Sequence, residues 1–197
     1  MAEERRIPDV SSVPIAPGDR SAHVRAAVRE AAVRLFTERG YVATGVRDIA
    51  RAAGADPAIV IRHFGSKEAL FIETMTLPET WRDALRGPVD ELGRALVDLI
   101  ARRRDGGFGP WAALVRASDR PDVGRVYRSS VTAVFAEGVA SRLEGPDAQV
   151  RAHLFAAQVE GLLSSLSIRE DRVLLDLPHD ELVDRYGAIL QATLTGP

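Results

Sequence analysis

Val24, Ala27, Val28, Ala31, Ala32, Leu35 and Phe36 recur at the i, i+3, i+4, i+7 spacing of a single helix face, with Arg25, Arg29 and Glu30 off the stripe. Gly40 follows as a stop signal. Two very short helical segments come next. Thr44 or Gly45 can cap the first, Val46 to Ala53, whose apolar face is Ile49, Ala50 and Ala53. Gly54-Ala55 supplies a turn. Asp56 offers a side-chain cap, and Pro57 fills the first helical position, where a missing N–H costs nothing. This second segment ends near His63, before Gly65. Ser66 then caps another helix, with Lys67 and Glu68 in its first turn.

Helical spacing continues to the end of the chain. Pro78 interrupts the fourth helix, and a short piece around Trp81 and Leu85 follows. A fifth helix turns Val89, Leu92, Leu96 and Ile100 inward and ends on Arg102 to Arg104, where cations suit the helix dipole. Trp111, Leu114 and Val115 mark a sixth after the Gly106-Gly107 loop, and Val123 to Phe135 a seventh. Gly145-Pro146 precedes an eighth, about Asp147 to Ile168. A ninth carries Leu182, Val183, Tyr186, Ile189 and Leu190. No segment alternates as a strand does, so the expected class is all-α with about nine helices. Residues 1–19, with three prolines and no periodicity, read as a flexible arm in which Arg5 and Arg6 can reach a nucleic-acid groove.

Composition narrows the chemistry. The 197 residues contain no cysteine, which removes disulfides and thiolate metal sites. No apolar run approaches the ~20 residues that span a bilayer, and the first residues lack a signal-peptide core, so a cytoplasmic protein is expected. The four histidines are scattered without metal-ligand spacing, and no phosphate loop or nucleophile elbow is present. No enzyme chemistry, cofactor or metal is expected. Charge is uneven. Between Arg20 and Lys67 nine bases stand against four acids, net +5, which leaves −7 for the remainder of a chain whose total is −2. A basic segment on an acidic body suits a polyanion partner for that segment alone.

Two short helices joined by a glycine turn behind a longer one make a helix-turn-helix, whose second helix enters the major groove. The residues that carry it, Thr44-Gly45-Val46-Arg47-Asp48-Ile49-Ala50, Ala53-Gly54 and His63-Phe64-Gly65-Ser66-Lys67-Glu68-Ala69-Leu70-Phe71, resemble the DNA-binding domain of the TetR family of bacterial repressors over about residues 20–75. The resemblance implies a three-helix DNA-binding domain, taken as 20–66, and a helical effector-binding and dimerisation domain, 67–197. It further implies homodimers whose last two helices form a four-helix bundle, a double-stranded palindromic operator, and release by a small hydrophobic effector.

Lys67 is the only lysine, and a helix N-terminus welcomes anions, so a phosphate is the expected partner of its ammonium. Thr44 and Arg47 sit where they can meet phosphate, and Ala58 and Ile59 where they can touch thymine methyls. Arg62 and His63 complete the expected DNA set; the resemblance implies a backbone contact for His63. Many relatives carry a tyrosine where this chain has Ile61, which puts one phosphate contact in doubt. Phe64 reads as core. The expected effector lining is Met75, Trp81, Leu96, Ile100, Trp111, Tyr127, Phe135, Phe155 and Gln158, each equally readable as core. The expected dimer face is Gly161, Leu162, Leu182, Tyr186, Ile189 and Leu190. The rival reading is a helical small-molecule-binding module or enzyme on the same scaffold that does not bind DNA.

Overall fold

A computed structural model describes residues 17–75, 79–104 and 108–196. The described residues are helical and contain no strand. The elements are α1 (Pro17–Ala43), α2 (Val46–Ala52), α3 (Pro57–Phe64), α4 (Lys67–Met75), α5 (Glu79–Ala84), α6 (Leu92–Ala101), α7 (Gly109–Arg116), α8 (Pro121–Val131), α9 (Gly138–Ala140), α10 (Ala148–Ser167), α11 (Arg172–Leu175) and α12 (His179–Thr195), with a π-helical stretch, Thr132–Glu137, joining α8 to α9. Helix α1 begins at Pro17, inside the stretch expected as an arm, with a proline at a helix start where its fixed φ fits. Residues 1–16, the Pro78 break and the Gly106-Gly107 loop lie outside the described residues.

Helix starts and stops follow the residue chemistry. The Asp56 carboxylate accepts the Ala58 N–H at 2.7 Å, with Pro57 next to it, and Gly65 closes α3 at φ +79°. Ser66 Oγ accepts the Ala69 N–H at 3.0 Å and so opens α4. Of the two caps that the sequence offers for α2, Thr44 and Gly45, the second is used. Gly45 takes the N-cap of α2, its N–H donating to Asp48 Oδ2 at 3.1 Å. The π stretch answers a packing demand. Val134, Phe135 and Ala136 are all buried. Three consecutive buried residues sweep a wide arc on an α-helix, and the broader π turn brings them closer to one face.

Two apolar cores form. The first gathers Val28, Ala32, Leu35 and Phe36 of α1 with Ile49, Val60, Phe64, Leu70, Phe71 and Met75. Thus α4, assigned from sequence to the second domain, packs with the first. So does part of α7, through Ala113 and Leu114, followed by Ala117 and Val123. The second core holds Trp81, Leu96, Ile100, Trp111, Phe135, Phe155, Leu162, Leu182 and Leu190.

Within the second core, α6 and α12 cross at a pair of glycines. A Cβ on Gly93 would stand 2.5 Å from Gly187 O and 2.6 Å from Gln191 N, so only glycine permits the approach. The Gln191 amide locks the crossing: its Oε1 accepts the Gly93 N–H and its Nε2 donates to Val89 O, both at 2.9 Å. Because both obstacles are backbone, Gly93→Ala must push the helices apart. It is expected to lower unfolding free energy by about 1–3 kcal/mol in urea titration.

Candidate nucleic-acid interface

Helices α2, α3 and the start of α4 pack one against the next, and each leaves side chains to solvent. Arg47 is exposed in the first turn of α2. On α3, Val60 and Phe64 turn inward, which leaves Ala58, Ile61 and Arg62 exposed and Ile59 and His63 half-buried. The exposed surface of α3 is therefore apolar toward its N-terminus and cationic in its last turn. Ile61, 43% exposed, is one of six large hydrophobic side chains left to solvent among the described residues. Such a face can meet thymine methyls, and Arg62 can reach a phosphate or a guanine edge. Other arginines are engaged elsewhere. Glu73 of α4 receives Arg25 at 3.0 Å and Arg29 at 2.6 Å, pinning α1 to α4 through partly exposed pairs of modest strength. Arg51 lies 3.5 Å from Asp48. Among the described residues neither Arg47 nor Arg62 has a carboxylate partner.

Lys67 stands at the N-terminus of α4, where a cation is disfavoured. The compensation comes from Tyr41. The Lys67 ammonium lies 4.2 Å from the centre of the Tyr41 ring, and the Arg120 guanidinium lies 4.8 Å from the same ring. Tyr41 is buried against Phe36 and Phe71, and its hydroxyl donates to Glu68 Oε1 at 2.5 Å. Burial lowers the Lys67 pKa from its ordinary value. The Tyr41 hydrogen bond is the main reason that the Glu68 carboxyl is held below the usual range. One aromatic ring thus gathers α1, α4 and the turn before α8 around the lone lysine. Sequence reasoning missed Tyr41; the signal was a tyrosine just past Gly40, in a chain with three tyrosines.

Three groups of expected residues need correction. Thr44 is 0% exposed, and its hydroxyl lies within hydrogen-bond distance of the carbonyls of Gly40 (2.9 Å) and Leu35 (3.1 Å). It ties off the end of α1 where Gly40, at φ +76°, breaks the helix, and it cannot reach a phosphate. Of the expected dimer residues, Leu162, Leu182 and Leu190 are buried in the protomer's own core. Tyr186 donates to Gln158 O at 2.9 Å and so ties α12 to α10. Gly161 and Ile189 are exposed; Ile189 is 51% so.

The expected effector residues line none of the cavities described. Trp81, Leu96, Ile100, Trp111, Phe135 and Phe155 fill the second core, and Met75 the first. Tyr127 is bonded to Glu160, and Gln158 accepts from Thr193 at 3.0 Å.

All three tyrosines are pushed above the ordinary phenol pKa, chiefly by burial: Tyr41 to about 12, Tyr127 and Tyr186 upward. Unfolded phenols lose their protons near pH 10. The native state keeps more protons above that pH, so stability falls as pH rises from about 10 toward 12. The ultraviolet phenolate band is expected to develop at higher pH in the native protein than in the urea-unfolded chain, and coincident titrations would refute it.

Comparison with known proteins agrees with this geometry. Residues 28–74 match the family of bacterial regulatory proteins described as tetR, and residues 90–194 match a tetracyclin repressor-like C-terminal domain family. An uncharacterised HTH-type transcriptional regulator of Mycobacterium tuberculosis is 32% identical over 146 residues, 71% of this chain and 72% of that protein. An HTH-type transcriptional repressor of the same organism is 49% identical over 47 residues, 24% of this chain and 25% of its own. A crystal structure of a TetR-family regulator from Streptomyces coelicolor superposes with a TM-score of 0.64 at 28% identity, covering 93% of this chain and all of the other.

Proposed function

We propose, from the premise that this chain belongs to the tetR family of bacterial transcriptional regulators, that it is a repressor that binds a palindromic operator as a homodimer and lets go when a small hydrophobic effector binds. The observation that carries the DNA part is the outward face of α3 flanked by Arg47 and Lys67, with its core-facing side taken up by Val60 and Phe64. Phosphates would meet Arg47, His63 and Lys67, while Ala58, Ile59, Ile61 and Arg62 would read base edges. The relative described as a repressor, 49% identical over 47 residues, supports repression. The expected compartment is the cytoplasm, and no helix among the described residues is long and apolar enough to cross a membrane.

The homodimer reading rests on two stripes that the protomer leaves uncovered. On α10, Val150, His153, Leu154, Ala157 and Gly161 are exposed at helical spacing; on α12, Arg185, Ala188, Ile189 and Ala192 are. Val150, Leu154 and Ile189 are 61%, 53% and 51% exposed, large apolar groups that a second copy of the same two helices would bury. Effector release would be a population shift: the effector prefers a state in which the two α3 helices no longer match successive major grooves.

Selection from a random DNA pool is expected to enrich a palindrome; no enrichment would favour the helical module that does not bind DNA. Lys67→Ala is expected to weaken specific and random DNA alike. It should also flatten the plot of log affinity against log salt by about one unit for each phosphate that the ammonium no longer neutralises. Ile61→Ala should instead change base preference and leave that slope nearly intact. For assembly, Leu154→Arg is expected to give a folded monomer in sedimentation. Leu190→Glu, a charge in the protomer core, should unfold the chain, with a loss of several kcal/mol. A Leu154→Arg protein that remains dimeric would move the interface elsewhere.

A further inference from the structure

The cleft beside the first turns of α7 has the composition of a binding site. Its floor is apolar, formed by Phe108 and Ala112 on one side and Leu166 and Leu175 on the other. Its rim carries Arg104, Arg116 and Arg172 against a single acid, Glu170. Among the described residues Arg116, Arg172 and Glu170 form no ion pair, and Arg104 makes one described hydrogen bond, from Nη1 to Leu177 O at 2.5 Å. The volume, about 330 Å³, lies at the small end of the range for small-molecule pockets. A larger hollow of about 720 Å³ sets Asp90, Glu144 and Asp147 against Arg142 and Arg151, whose guanidinia are committed to backbone carbonyls of Leu85, Gly87, Glu144 and Leu194.

We propose that the cleft between α7 and the α10–α11 corner binds a small amphipathic carboxylate, its hydrocarbon body on Phe108 and Leu166 and its carboxylate on the arginine rim. A guanidinium fork matches a carboxylate bidentately, which a neutral or cationic ligand of the same shape cannot exploit. Glu170 opposes that anion. It holds φ +49°, the one non-glycine residue described at positive φ, where the N–H groups of Arg169 and Asp171 bond Ser164 O and Ser165 O to end α10. Glycine would fit that backbone more easily. The glutamate therefore sits in a strained place at the mouth of the cleft and limits how tightly the anion is held.

Resting on the DNA-binding reading above, this ligand is the effector. The wall of the cleft is α7, and Gly109, which lines the cleft at the start of that helix, lies so close to α1 that a Cβ on it would collide with Thr37 Cγ2. A ligand that moves Phe108 and Ala112 away from Leu166 drives Gly109 against Thr37 and shifts α1, the support of the DNA face.

Sodium octanoate, titrated into the full chain by calorimetry, tests the site. Octan-1-ol, octyltrimethylammonium and acetate serve as comparisons. Octanoate is expected to bind about tenfold or more tighter than each of them and to raise the melting temperature. Arg116→Glu with Arg172→Glu, both surface positions, should weaken octanoate about tenfold or more with an unchanged circular dichroism spectrum. Glu170→Gln should tighten it. Equal affinity for octanol and octanoate, no binding of octanoate, or unchanged affinity in either variant overturns the site. A selected operator then tests the role. Octanoate should weaken operator binding in the wild type and not in the double variant. Octanoate binding that leaves operator affinity untouched overturns the effector role. A chain that binds octanoate through the arginines but never binds DNA keeps the site and rejects the DNA reading.

Discussion

An eight-residue helix has to serve two cores, and most of the molecule's behaviour depends on that constraint. Trp111 of α7 lies in the second core, while Ala113 and Leu114 lie in the first. With successive residues turned by a little over a quarter of a revolution, two or three steps carry the chain from one core to the other. The helix is too short to bend, so it moves as a unit. Its neighbourhood is also poorly satisfied: the Thr37 hydroxyl and the Trp111 indole N–H are buried with no hydrogen-bond partner among the described residues. Such groups cost about 1–3 kcal/mol each. A seam carrying that burden is held less firmly than it would be with both groups bonded.

The second half draws its order from the glycine crossing of α6 and α12. Once Gly93 and Gly187 set the two backbones against each other, the rotation of α12 is fixed. Leu182, Leu190 and Leu194 then face in, and Ala188, Ile189 and Ala192 face out. Tyr186 and Thr193 tie α12 to α10 through Gln158, so the outward sides of both helices come to lie beside each other. The same rotation that builds the core leaves a joint apolar surface.

How much of this was legible in the sequence depended on whether the signal was local. Asp56, Pro57, Gly65 and Ser66 act within one turn of themselves, and each does what its chemistry predicts. Thr44 departs from expectation because its partners, Leu35 and Gly40, belong to the helix before it; a hydroxyl that can cap forward can also tie backward. Leu190 and Ile189 are adjacent and equally apolar, and only the glycine crossing decides which is buried and which is left to solvent. The aromatic residues expected around an effector share a core because several large side chains on different helices suit a filled interior as well as a hollow one. The arginine-rimmed cleft was invisible for a different reason: its residues come from α7, α10, α11 and the end of α6, and no spacing along the chain brings them together.

The lone lysine carries one consequence outside binding altogether. Lys67 is the single side-chain amine in the chain, and burial against Tyr41 lowers its pKa, so a larger fraction of it is uncharged, and therefore nucleophilic, at a given pH than in a solvated lysine. An amine-selective acylating reagent has one side-chain target here, set at the junction of α1, α4 and the turn before α8. The extent of acylation at Lys67 becomes a chemical reporter of that junction, readable by peptide mass after digestion, which separates it from the α-amino group, without any engineered label.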